Sequence, residues 1–123
     1  MSRYSLPYSE RLRSFGAIRR LFGEGSGGFV YPFRYIVYAE ADSEVSVRVL
    51  FSVPKRNHKR ANVRNLLRRR TKEAYRLNKS LLHDSGKCGS VELALVYSSR
   101  EVVDYKTIEH AVKRILAAVE EQL

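Results

Sequence analysis

The sequence predicts an α+β fold, a small two-layer sandwich with helices packed over one face of a sheet. Three observations carry this expectation. Stretches 45–53 and 91–97 place apolar residues at every second position, the period of a strand with one face in a core. Residues 62–82 and the segment after Asp104 repeat apolar residues at helical spacing instead. With 123 residues, 44% of them hydrophobic, the chain suffices for one domain with a real core. The order helix, strand, strand, helix, strand, helix, with room for a split strand, then segregates helices from a sheet.

Each element has its own signal. Residues 1–13 read as an extended lead-in, since Pro7 opposes an early helix. Ser14 is placed to cap a short helix over Phe15–Phe22, where Ile18, Leu21 and Phe22 share a face. Glycines 23, 25, 27 and 28 read as a flexible turn, because no Gly-Lys-Ser/Thr follows to make a phosphate loop. Phe29–Ala41 reads as one strand, with Phe33, Tyr35 and Val37 on one side and Arg34, Ile36 and Tyr38 on the other. After a turn at 42–44, Val45, Val47, Val49, Phe51 and Val53 alternate with Ser46, Arg48, Leu50 and Ser52, and Pro54 stops the strand. On a helix over 62–82, Val63, Leu67, Ala74, Leu77 and Leu81 form an apolar stripe. Arg64, Arg68, Lys72, Arg76 and Lys79 fall opposite it, flanked by Asn65 and Arg69, while Arg70 lies on the stripe and must snorkel out. A loop spans 83–90. Val91, Leu93, Leu95 and Tyr97 then face inward from a last strand. Asp104 is placed to cap a final helix carrying Ile108, Val112, Ile115, Leu116 and Val119. Residues 1–123 read as a single domain, with no internal repeat.

Charge narrows the function. The chain carries 23 Lys and Arg against 13 Asp and Glu. Eleven of those cations and a single acid, Glu73, lie between Lys55 and Lys79, so the rest of the chain is neutral. A local excess of this kind is the footprint of a polyanion-binding face. Arginine dominates it, and the planar guanidinium suits bidentate phosphate contact. Tyr31, Phe33, Tyr35 and Tyr38 offer stacking platforms, though alternation assigns the Phe33 side to the core. No apolar run approaches a membrane span and no apolar signal region opens the chain. The single Cys88 points to a reducing, cytoplasmic setting.

Catalytic chemistry is missing from the residues. His58, His83 and His110 read as surface histidines without Cys or His at metal-ligand spacing, and Cys88 has no activating partner. No catalytic or metal-binding residue is assigned to the protein. A DNA-binding module is disfavoured, because the basic helix has few Asn or Gln readers. A nuclease acting alone lacks an acid–base constellation.

One stretch is specific. Lys55-Arg56-Asn57-His58-Lys59-Arg60-Ala61-Asn62-Val63-Arg64-Asn65-Leu66-Leu67-Arg68-Arg69 resembles the signature of the bacterial ribonuclease P protein family. There a Lys-Lys/Arg loop ends a strand, Arg-Asn-Arg opens a long helix, and a basic pair follows one residue later. Arg64 and Asn65 match the opening of that element, Arg68 and Arg69 match the pair, and Thr71–Arg76 continues as the family's helix does. Ile18, Leu21, Phe22 and Gly25 resemble the family's first helix and turn, so the likeness covers nearly the whole chain. Two departures stand out. Leu66 replaces the usual second Arg, and Arg70 stands where an apolar residue is common.

The resemblance implies a mixed central sheet with a left-handed βαβ crossover, similar to a domain of ribosomal proteins and translocases. It implies a catalytic ribonuclease P RNA as partner, with precursor tRNA as substrate and no protein oligomer. The RNA surface would comprise Lys55, Arg56, Asn57, Lys59, Arg60, Arg64, Asn65, Arg68, Arg69, Lys72 and Arg76. A cleft for the single-stranded 5′ leader would use Ile18, Phe22, Arg34, Ile36 and Tyr38. The reaction would be Mg²⁺-dependent endonucleolytic removal of the leader, with Mg²⁺ held mainly by the RNA subunit. The alternative is a non-catalytic structural or ribosome-associated RNA-binding protein.

Overall fold

The computed structural model describes residues 15–40, 46–83 and 90–122. Along the chain they form α1 (Phe15–Glu24), β1 (Ser26–Val30), β2 (Phe33–Glu40), β3 (Ser46–Ser52), α2 (Ala61–Asn78), α3 (Ser80–His83), β4 (Ser90–Tyr97) and α4 (Tyr105–Gln122). The strands make one mixed sheet in the order β1-β2-β4-β3. β1–β2 and β2–β4 pair antiparallel, whereas β3 and β4 run parallel and are joined through α2 and α3. A parallel pair needs such a crossover, because a tight turn cannot return the chain to the same end of the sheet.

Alternation along the strands divides two cores. On one face Phe33, Tyr35, Val37, Val47, Val49, Val91, Leu93, Leu95 and Tyr97 are buried against α2 and α4. From α4 the stripe Ile108, Val112, Ile115, Leu116 and Val119 is fully buried, as its spacing predicts. Asp104 caps this helix, its Oδ1 accepting from Thr107 N at 2.9 Å. Hydrogen bonding from Thr107, its side chain first and this backbone N–H second, holds the Asp104 carboxyl below the usual range. Across the sheet, α1 sets Leu21 against Ile36 and Ala94 in a second, smaller cluster. The long helices thus cover one face as expected, and the short α1 adds a layer on the other. β4 is buried on both sides for this reason, Glu92 and Ala94 included.

Three expectations need correction. Phe29–Ala41 is not one strand: the chain reverses at Tyr31 and Pro32, joined by a cis peptide, and β1 and β2 form a hairpin. The glycine stretch taken as a turn supplies β1 from Ser26 onward. Only Gly25 serves as the break, its N–H bonding Leu21 O at 2.9 Å where α1 ends. A Cβ there would come within 2.5 Å of Leu21 O and 2.9 Å of Val37 O, so the close approach of helix and strand demands glycine. Finally, Leu77 and Leu81 are exposed, and the buried stripe of α2 is Leu67, Thr71, Ala74 and Tyr75. The helix turns its tyrosine inward, where the ring meets Phe51 edge-on at 5.7 Å, because an aromatic ring buries more apolar surface than a leucine. Arg70 snorkels as predicted, donating to Val103 O at 2.8 Å. The lead-in with Ser14, the turn at 42–44, and Cys88 lie outside the described residues.

Candidate nucleic-acid interface

α2 and the loop before it carry the basic surface. Pro54 ends the strand region, and its carbonyl accepts from Asn57 N (3.2 Å) and His58 N (3.4 Å), folding residues 54–58 into a tight turn. Lys55, Arg56, Lys59 and Arg60 project from this loop into solvent, and Asn57 is half-buried. The helix that follows has no side-chain cap and no acid in its first turn, so its positive end adds to the patch. Asn65, Arg68, Arg69 and Lys72 line a shallow basin of ≈ 320 Å³ on its outer side. Three cations around one depression can neutralise phosphates at little cost in desolvation.

The members are not equivalent. Arg64 is half-buried and donates from Nη1 to His58 O (2.9 Å) and Lys59 O (2.8 Å), so it shapes the loop as well as charging it. Arg68 reaches Asn65 Oδ1 at 3.4 Å. Arg76 forms a two-pronged pair with Glu73, at 3.1 and 2.6 Å, which holds the Glu73 carboxyl below its usual range. Its charge is therefore partly neutralised. Lys79 is buried in the turn between α2 and α3, not on the outer face.

His58 also departs from its sequence reading. It is buried, not on the surface: Nε2 lies 2.8 Å from Ser99 O and the ring meets Tyr97 edge-on at 5.6 Å. It pins the basic loop to the segment after β4. His110 is exposed, as expected.

On the α1 side, the structure gathers Ile18, Ile36 and Tyr38 into the smaller cluster. Ile36 is its floor, 8% exposed beneath Leu21. Arg34 and Phe22 are exposed, Phe22 at 47%. Of the other aromatics offered as platforms, Phe33 and Tyr35 are core. Tyr31 is exposed, with its hydroxyl tied to Glu101 (3.2 Å) and Ser99. Sequence reasoning missed one ion pair here, Arg20 with Glu92. An acid isolated in the apolar run Val91–Tyr97 was the available signal, since a buried carboxylate calls for a cation. No three His, Cys, Asp or Glu side chains among the described residues come together as a metal site.

The chain is similar in sequence and in fold to known proteins. A family model described as Ribonuclease P matches residues 6–120. The ribonuclease P protein component of Porphyromonas gingivalis is 35% identical over 119 residues, covering 94% of this chain and 87% of that protein. The Chlorobaculum tepidum component is 37% identical over 110 residues, covering 78% and 69%. The solved RNase P protein from Thermotoga maritima superposes with a TM-score of 0.71 at 21% identity, covering 89% of this chain and 96% of that one. One from Staphylococcus aureus gives 0.67 at 15% identity, covering 94% and 93%. At such identities the two structures speak to the fold.

Proposed function

The chain belongs to the ribonuclease P protein family, and from that premise we propose how its surfaces divide the work of the ribonucleoprotein. It is the protein subunit of an endoribonuclease whose RNA carries catalysis. The loop Lys55–Arg60 and the outer face of α2 bind that RNA. The surface between α1 and the sheet, with Ile18, Phe22, Arg34, Ile36 and Tyr38, takes the single-stranded 5′ leader of precursor tRNA. The observation that carries this division is the basin of Asn65, Arg68, Arg69 and Lys72 on one layer, with a separate aromatic and aliphatic cluster under α1 on the other.

The protein's part is to hold substrate against the catalytic RNA and to offset phosphate repulsion between them. The described residues offer no cluster of three His, Cys, Asp or Glu to hold a metal. In this reading Mg²⁺ belongs with the RNA subunit, where it would supply an activated water. The setting proposed is cytoplasmic, and no helix among the described residues is long and apolar enough to cross a membrane.

A cleavage assay on precursor tRNA, with and without a bacterial ribonuclease P RNA, tests this. The protein alone should leave the substrate intact. With the RNA it should accelerate release of the leader, leaving a 5′-phosphate on the mature end. Cleavage by rigorously purified protein without RNA would refute the assignment.

A further inference from the structure

Glu92 is the only buried acid among the described residues, 3% exposed in the middle of β4. One carboxylate oxygen binds Arg20 of α1. The other, Oε2, has no hydrogen-bond partner among the described residues. The Arg20 guanidinium also stands over the Tyr38 ring, 5.0 Å from its centroid. Tyr38 and Arg48 are the register partners of Glu92 on β2 and β3. Arginine, carboxylate and ring therefore meet on the face that holds Ile18 and Ile36.

We infer that Glu92 is a masking residue of the leader cleft, holding Arg20 away from RNA phosphates so that the cleft engages single strand with one cation fewer than its sequence supplies. This rests on the leader-cleft reading above. The competition is unequal. A phosphodiester in the cleft stays hydrated and screened by salt, whereas the Glu92 carboxylate is shielded from water, so losing Arg20 would leave a buried charge uncompensated. Arg34, exposed on the same side of β2, has no ion-pair partner among the described residues and remains open to phosphate. Arg34 and Arg20 thus have opposite roles on this face. Arg34 contacts the leader, and Arg20 clasps α1 to the sheet while covering one side of the Tyr38 ring.

The test is a salt series of holoenzyme binding to precursor tRNA with a single-stranded leader, and to mature tRNA. Glu92→Gln keeps the shape and frees Arg20. The slope of log affinity against log salt for precursor should then steepen by about 0.7, one single-strand phosphate, or about 2.6-fold in affinity over a fourfold salt range. Mature tRNA should not respond. The double variant Arg20→Met/Glu92→Gln, which leaves no buried charge, should restore the original slope. That double variant also serves alone if Glu92→Gln does not fold. A slope shallower than wild type in the double variant would mean Arg20 already holds a phosphate, overturning the inference. Arg34→Ala separates the two levels: it should flatten the precursor slope. If it does and Glu92→Gln changes nothing, masking alone is wrong. If Arg34→Ala changes nothing, the leader does not lie on this face and masking falls with it.

Discussion

Arg64 and Arg68 lie one turn apart on α2, and their surroundings set different consequences for losing them. Arg64 bonds two carbonyls of the basic loop, at His58 and Lys59, whereas Arg68 reaches Asn65 on its own helix. Arg68→Ala should remove one phosphate contact, reducing the salt slope of binding to the catalytic RNA by about 0.7–0.9. Arg64→Ala should lose that and more, because the loop carrying Lys55, Arg56, Lys59 and Arg60 loses its tether. Salt-dependent affinities of the two variants check this, and equal losses would show the tether to be idle. Leu66 poses the opposite question. It is half-buried and packs with neither core cluster. Leu66→Arg should therefore cost no more than about 0.5 kcal/mol, as surface substitutions do, and should tighten RNA binding by restoring a cation at the position where the family keeps one. A large fall in melting temperature without gain in affinity would place Leu66 in the core after all.

At the scale of elements, the cap of α4 makes a prediction about acid. Asp104 has its folded pKa depressed by the bond from Thr107, so its contribution is present above the unfolded value of about 3.9 and is lost as pH falls through the folded value. Asp104→Asn keeps an acceptor but no charge. The melting-temperature gap between wild type and variant should hold at neutral pH and close as pH falls through the depressed folded value; a gap independent of pH would mean the charge contributes nothing. The same helix shows why some elements were legible in the sequence. α4 has one buried face against one sheet, and its stripe of Ile108, Val112, Ile115, Leu116 and Val119 states that directly. β1 was not legible, since Ser26, Gly27 and Gly28 have poor strand propensity. Pairing with β2 overrides it, and the Tyr35 ring fills the space over Gly28, where a Cβ would come within 2.7 Å of the hydroxyl. α2 was half legible: its stripe was right at Leu67 and Ala74, and wrong where Tyr75 displaced Leu77 from the interior. The basic patch could be read because it is local in sequence. The burial of His58 and the identity of the cation that answers Glu92 could not, because Ser99 lies 41 residues from His58 and Arg20 lies 72 residues from Glu92.

For the whole molecule, what matters is that the sheet separates two surfaces. α2 lies on one layer and α1 on the other, so in the proposed division catalytic RNA and leader would sit at a fixed spacing without competing for the same cations. Such an arrangement should discriminate precursor from mature tRNA, since only the precursor has unpaired 5′ nucleotides to reach the α1 side. Phe22 is the clean probe. At 47% exposed it contributes little to the core, so Phe22→Ala should leave melting nearly unchanged while weakening precursor binding by about 1–3 kcal/mol if a base stacks there. Ile36 is not a clean probe, because it is buried beneath Leu21 and its truncation to Ala should cost about 2–5 kcal/mol of stability whatever the RNA does. Ile36→Val, a smaller deletion of about 0.5–1.5 kcal/mol, keeps the floor of the cluster largely filled. Holoenzyme affinities for precursor and mature tRNA, read beside melting curves, then decide the matter. A stably folded Phe22→Ala holoenzyme that loses both tRNAs equally would remove the leader from the α1 face while leaving the family and the basic interface on α2 untouched.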